Sequence, residues 1–519
     1  MANCHNDLFD YTSGRWVQVS CMLFNDALRH AERRLVFDVE GLRRLAAQSV
    51  GRSPADVVNL SKLAEGGFNR TFLITLRGDF QMVARIPYPA TVPKYYTVAS
   101  EVATMEFLRS FGLPVPQVYG YSPASDNAAK TEYIFMEFMR GTKLSDSQMM
   151  SISFPAGGSL YYAHDLEKVT GRAAIPLKDE HFCVGPDTRL PMWYGRRSQL
   201  DVDRGPYKSA EAALVAAARK ELAYLDKFGQ PLLPFRRERR DGYQYQEQSP
   251  SAHIENLKRY ILMASSIVPR DHALGHFCIR HPDLQQSNIV VRRSTDSGWQ
   301  VVGLLDWQHA SILPQFLLAG VPQRLQNHND PVSQSMTPPS LPGNFDELEE
   351  TERAAAEEVY RRRLVHYHYV TSTEEYNKPH YDALTDPMCV LRSRLFHHAS
   401  NPWEGETLEL KVALIRATER WKTLTGGGAP CPVVFDTEDA RETAELNEVQ
   451  RKADKAFEVW QNMLGLGPEG WVPTQDYKEA VALCKQMKEE ALTEAESEEE
   501  RAEIMVHWPW DDMDEEKYM

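Results

Sequence analysis

The chain is 519 residues long, enough for two or three domains and a large core. Its formal charge of -15 argues against nucleic acid as a partner, because non-specific nucleic-acid binding needs a basic surface to neutralise phosphates. Seven scattered cysteines without a CxxC pair point to a reducing compartment, and no apolar run approaches the roughly 18 residues that span a bilayer. Residues 1–16 show neither an apolar signal core nor an acid-poor, Arg-rich presequence, so the location expected from these residues is cytoplasmic.

Residues 22–50 carry Leu28, Leu35, Val39, Leu42 and Leu45 among many Arg and Glu, which predicts an amphipathic helical prologue over 1–50. Strands are expected at 57–64, 71–76 and 80–86, with a hairpin turn at 77–79. Between the first pair lie Gly66, Gly67 and Asn69. Glycines in such a turn let backbone N–H groups come close to phosphates, although an ordinary hairpin has the same look. Arg85 on the third strand is placed to reach nucleotide phosphates, or else to sit on a surface edge. A helix is predicted at 99–111 from Val102, Met105 and Leu108, ended by Gly112 and Pro114, and Glu101 near its start is the first choice to pair with Arg85, with Glu106 in reserve. Strands at 115–121 and 131–138 complete a small β-rich lobe over 51–140.

Residues 153–207 are rich in Gly, Pro and Tyr and read as a loop insertion that lines a pocket or pads the second lobe, which runs over 141–425. Helices follow at 209–228 and 251–268, and then at 349–370, 382–398 and 406–424 after an irregular stretch at 314–342. The histidine pairs at 366/368 and 397/398 lack the carboxylate or Cys context of a zinc site and read as structural. Past the linker at 426–432, residues 436–519 form an acidic helical tail that reads as a solvated face with Trp508 and Trp510 exposed; the alternative is that the two tryptophans dock on the body or on a protein partner.

The chemistry gathers at His281, Asp283 and Asn288, followed by a predicted hairpin (289–292 and 300–305, turning at 294–298) that ends on Asp306 and Trp307. The hairpin would bring Asn288 and Asp306 together, and two converging oxygen ligands suit Mg2+, which takes few protein oxygens and keeps places for water and phosphate. Asp283 would face a substrate hydroxyl. Such a site serves phosphoryl transfer.

With these stretches, together with residues 63–69, 83–87, 101–108, 133–138 and 153–161, the chain resembles the aminoglycoside phosphotransferase and choline kinase branch of the protein-kinase-like fold, within it the fungal group related to altered inheritance of mitochondria protein 9. The resemblance implies an α/β (α+β) two-lobed protein that uses ATP and Mg2+ to phosphorylate a hydroxyl of a small molecule. It implies Asp283 as catalytic base, Asn288 and Asp306 as metal ligands, Arg85 as phosphate-contacting cation with Glu101 as its partner, and it leaves a mitochondrial location open. Arg85 departs from the usual Lys, a planar fork in place of a point charge. Only residues 142–152 stand where related chains would hold a helix between the lobes. The alternative to an enzyme is a catalytically inactive nucleotide-binding or scaffold protein of the same fold.

Overall fold

The structure, a computed structural model, describes residues 20–22, 25–140, 152–169, 174–294, 298–322, 325–327, 330–466, 471–473 and 476–519. The expected connection at 142–152 and the turn at 294–298 fall largely outside these. The prologue is divided where one helix was predicted, into strand β1 (Ser20–Met22) and helices α1 (Asp26–Arg33) and α2 (Val39–Ser49). The second helix restarts at Asp38, whose carboxylate accepts from the Gly41 N–H and so satisfies one of the amides left open at a helix start.

The small lobe is a five-stranded antiparallel sheet of β2 (Val57–Glu65), β3 (Asn69–Leu76), β4 (Phe80–Pro87), β5 (Val118–Ser122) and β6 (Tyr133–Glu137), in the order β2-β3-β4-β6-β5. The β3–β4 turn needs left-handed backbone at two residues, met by Gly78 (φ 77°) and Asp79 (φ 57°). Helix α3 (Lys94–Ser110) begins five residues earlier than its apolar repeat suggested. Strand alternation sorts the central strand β4 between two cores. Met82, Ala84 and Ile86 point to one face and pack with Leu42, Ala46 and Ala47 of α2 and with Phe72 and Ile74 of β3. Val83 points to the other face, into a cluster with Val98, Val102 and Met105 of α3. Arg85, two residues on, shares that face. The edge position considered for Arg85 is thereby corrected: it lies on the middle strand and is 7% exposed.

The stretch read as a loop insertion is instead built into the core. It holds β7 (Ser159–Tyr162), the short helix α4 (Ala163–Glu167), β8 (Ile175–Pro176) and β9 (Phe182–Gly185), a sheet in the order β7-β9-β8. Strands of four, two and four residues are too short to show a repeat. Gly158 makes the packing specific, since a Cβ there would stand 2.2 Å from the Gly185 carbonyl oxygen, and its φ of 139° excludes most side chains. Leu160, Phe182 and Val184 join the cluster that also contains Met105, Leu304 and Trp307, so one apolar core passes from the small lobe into the large one.

The large lobe rests on α5 (Ala210–Phe228, capped by Ser209) and α6 (Pro250–Ala264, capped by Ser249). Strand β10 (Phe277–Ile279) leads into the loop carrying Asp283, β11 (Ile289–Ser294) and β12 (Gly298–Leu304) form the hairpin, and β13 (Ile312–Pro314) returns to pair with β10. Helices α7 (Glu350–Tyr376), α8 (Lys378–Thr385), α9 (Pro387–Ser400) and α10 (Leu408–Glu419) follow. The expected helix at 382–398 is interrupted at Asp386, which caps α9 in front of Pro387, a residue suited to the first helical turn.

The tail contains α11 (Thr437–Met463), β14 (Trp471–Pro473), which pairs with β1, α12 (Tyr477–Glu494) and α13 (Glu498–His507). The exposure expected for the two tryptophans is corrected. Trp508 and Trp510 are 6% and 4% exposed, packed with Leu464, Val472 and Cys484, because the tail folds back on itself. Beyond them the chain docks on the body: Arg237 donates to the carbonyls of Trp508 and Asp512, and Tyr518 enters the core of the large lobe. Among the described residues no helix is long and apolar enough to cross a membrane.

Candidate active site

The loop between β10 and β11 is held by His281. Its Nδ1 accepts from the Asp283 N–H at 3.2 Å, which leaves Nε2–H to donate to the Leu305 carbonyl at 2.8 Å. Both bonds suit a neutral imidazole, and burial lowers the His281 pKa to match. The Leu305 N–H in turn donates to the Asn288 carbonyl at 2.7 Å, extending the β11–β12 ladder by one rung. Leu305 is thus bonded on both sides, and the next residue is Asp306. The hairpin brings the Asn288 and Asp306 backbones to the same end of the ladder, as its register demands.

Asp283 is exposed. Its Oδ2 accepts from Gln285 and, at 3.3 Å, from the Asn288 amide, which also donates to the Asp283 carbonyl at 2.8 Å. The Asn288 nitrogen is committed to Asp283, so the Oδ1 end faces the other way, approached only by Ser287 Oγ at 3.5 Å among the described residues. This fixes which end of the amide can meet a cation.

Asp306 stands in left-handed backbone (φ 66°), as does His309 (φ 63°). Two such residues that are not glycine within four positions are costly, roughly 1–3 kcal/mol each, and are kept where the surroundings enforce them. The Asp306 side chain is 43% exposed and uses Oδ1 to accept from Arg85 Nη2 at 2.5 Å. Among the described residues its Oδ2 takes no hydrogen bond. Arg85 Nη1 donates to Glu101, so the expected pair is formed by Glu101, while Glu106 instead accepts from the Val118 N–H. Arg85 therefore meets two carboxylates, where the sequence suggested one.

The charges respond to this arrangement. Burial works against the Arg85 cation, but Asp306 and Glu101 hold its pKa above the ordinary value. Burial pushes Glu101 up to about 7 against the pull of Arg85, with Asp306 adding to the rise. Asp306, buried to a lesser degree, is held down by the guanidinium. One cation shared by two carboxylates favours the more open one.

Two residues that had no assigned role in the sequence complete the site. Gln308 Oε1 accepts from Arg85 Nη2 at 2.9 Å and meets the Asn69 amide at 2.5 Å. His309 donates from Nδ1 to the Thr188 carbonyl at 2.7 Å and sets its ring edge against Phe68, 5.5 Å between centroids. Asn69 and Phe68 belong to the turn that carries Gly66 and Gly67, so this turn touches the Asp306 segment directly. Neither glycine has positive φ, and a Cβ on Gly67 would meet nothing within 4 Å. Backbone strain does not explain them, and the space over Gly67 is open. Adjacency to Asp306 and Trp307 was the one signal for Gln308, and nothing in the sequence marked His309.

The donors fit a hard divalent cation. Asn288 Oδ1 and Asp306 Oδ2 are oxygens, at adjoining chain ends, with one of them half-open to solvent. Among the described residues no three His, Cys, Asp or Glu side chains gather as a metal cage.

Comparison with known proteins finds the following similarities. The phosphotransferase enzyme family matches residues 59–162, a span that takes in Gly66, Gly67, Asn69, Arg85 and Glu101. A subtelomeric hrmA-associated cluster protein of Aspergillus fumigatus is 28% identical over 516 residues, covering 88% of this chain and 97% of its own. Altered inheritance of mitochondria protein 9, mitochondrial, of Yarrowia lipolytica is 23% identical over 531 residues, covering 91% and 85%. Among solved structures, macrolide 2'-phosphotransferase type I aligns over 67% of this chain and 97% of its own at 14% identity, with a TM-score of 0.22. Residues 59–162, which carry one half of the site, thus match the phosphotransferase enzyme family, and the chain as a whole is similar to the fungal proteins related to altered inheritance of mitochondria protein 9.

Proposed function

We propose that the chain transfers the terminal phosphoryl group of ATP, with Mg2+, to a hydroxyl of a small molecule. The observation that carries this reading is a chain of contacts: Asn288 bonds to Asp283, the Leu305 N–H bonds to Asn288 next to Asp306, and Asp306 pairs with Arg85. Asp283, exposed and oriented by Asn288 and Gln285, would take the acceptor's proton as its oxygen attacks. Arg85 would face the phosphates from the central strand, held at the correct depth by Glu101. Asn288 and Asp306 would hold the metal, which supplies charge neutralisation on the phosphates. The turn at Gly66 and Gly67 would cover the phosphates from above. The expected cytoplasmic location gains no support from the relatives, while a mitochondrial one is in keeping with the name of the altered inheritance of mitochondria protein 9 relatives.

One observation favours the inactive alternative: Arg85 already neutralises Asp306, the carboxylate a metal would need. A thermal melt separates the readings at their root. A ligand bound only by the native state raises stability by RT ln(1 + [L]/Kd), so MgATP should raise the melting temperature of the wild type and Asp306→Asn should blunt the rise. An equal rise in the variant, still dependent on Mg2+, would remove Asp306 from the metal site. Turnover above background with a fraction of a metabolite extract then distinguishes enzyme from scaffold.

A further inference from the structure

The guanidinium of Arg85 is shared among three acceptors. Its Nη1 donates to Glu101, while Nη2 donates to both Asp306 and Gln308. The N–H that Asp306 holds can reach a phosphate only when Asp306 lets go, and Asp306 has a reason to do so, because its half-open carboxylate is also a metal ligand in the proposed site. Gln308 is a neutral acceptor on the same nitrogen, and it remains when the carboxylate turns away.

We infer that Arg85 is an internal counter-ion that reserves Asp306, and that Gln308 is a positioning residue which retains the guanidinium when Asp306 passes to a divalent cation. This deepens the phosphotransferase reading and rests on it. Metal and nucleotide are then linked through one side chain: the metal releases Arg85 from Asp306, and the released Nη2–H is free for the phosphates. Linkage is reciprocal, so each ligand alone should bind poorly and the two together well, with a coupling in the ordinary range of roughly 5–150-fold. The planar fork accounts for Arg in place of the usual Lys, since one ammonium cannot hold Glu101, Asp306 and Gln308 in fixed directions at once.

The test uses the full chain and Mn2+ alone as the probe, with free Mn2+ counted by electron paramagnetic resonance and no nucleotide present. Arg85→Lys keeps a positive charge for Glu101 but shortens its reach to Asp306, and should bind Mn2+ about ten-fold tighter than wild type. Gln308→Leu removes the neutral acceptor, leaves the guanidinium more dependent on Asp306, and should bind Mn2+ several-fold weaker. Opposite shifts are not expected of two changes that only loosen the structure. Asp306→Asn should abolish Mn2+ binding in both backgrounds. Equal Mn2+ affinity in wild type and Arg85→Lys, when Mn2+ with a non-hydrolysable ATP analogue still binds, overturns the counter-ion inference and leaves the phosphotransferase reading standing. Absence of Mn2+ binding in every protein, with and without the analogue, overturns both.

Discussion

At the scale of single residues, the site separates the group that would do chemistry from the groups that would hold the nucleotide. Among the described residues the Asp283 carboxylate bonds to Gln285 and Asn288, and none of its bonds goes to Arg85 or Asp306. Asp283→Asn should therefore keep nucleotide affinity and lose turnover, by roughly the 10²–10⁴-fold that general-base assistance contributes. Steady-state turnover measured beside equilibrium binding of a nucleotide analogue decides it. Full turnover in the variant would show that Asp283 is not the base. The neutral state of His281 is part of the same design: an imidazole that accepts from the Asp283 N–H and donates to Leu305 sets the distance between the two loops without adding charge next to Asp306.

At the scale of elements, the segment 153–207 is where the structure departs most from the reading of the sequence, and Asp187 shows how it is anchored. This carboxylate is fully buried. It accepts from Arg189 Nε at 2.8 Å, with Nη2 in ion-pair contact at 2.6 Å, and from Ser311 Oγ at 2.9 Å, three residues beyond Gln308. The neighbouring Thr188 carbonyl receives His309. The segment thereby supports the left-handed backbone from Asp306 to His309 from below. Asp187→Asn keeps the shape but leaves Arg189 buried without a full counter-ion, which typically costs about 3–5 kcal/mol. A urea midpoint lowered to that extent is the expected result; a shift within about 0.5 kcal/mol, the range of ordinary surface changes, would mean that the segment is dispensable padding.

At the scale of the whole molecule, the acidic composition conceals a set of buried histidines whose titration opposes folding in acid. His253 on α6 is 4% exposed, bonded through Nδ1 to Thr407, and burial lowers its pKa to about 4. Between that value and the ordinary 6.5 the unfolded chain binds the proton and the folded one does not, so stability rises with pH and is lost on acidification from about 6.5 toward 4. The contribution of this one group is on the order of 3 kcal/mol across the window. His253→Gln, which retains an amide for Thr407, should flatten the dependence: its unfolding free energy should fall less between pH 6.5 and 4 than that of the wild type. Parallel pH profiles for the two proteins would show that His253 does not titrate with folding.

Amino-acid pattern alone was sufficient for the parts of this protein in which the signal is local. The strands of the small lobe, the helices expected at 209–228 and 251–268 (observed at Ala210–Phe228 and Pro250–Ala264) and the hairpin ending on Asp306 follow from alternation and turn residues, all of which act within a few positions. The pairing of Arg85 with Glu101 was also legible, because alternation on β4 and the start of α3 constrain both ends. What only the tertiary structure decided are the contacts between segments far apart in the chain. Arg85 reaches Asp306 across 221 positions and Asn69 reaches Gln308 across 239, and no local period encodes either. The same holds for the tail: a tryptophan beside a run of acids has the composition of an exposed end, yet Trp508 and Trp510 are covered because α11 and α12 present Trp460 and Cys484 to them. Apolar side chains state that they will be buried; the partner that buries them, and the carboxylate that a buried cation selects, are settled by which surfaces the folded chain brings within a few ångströms.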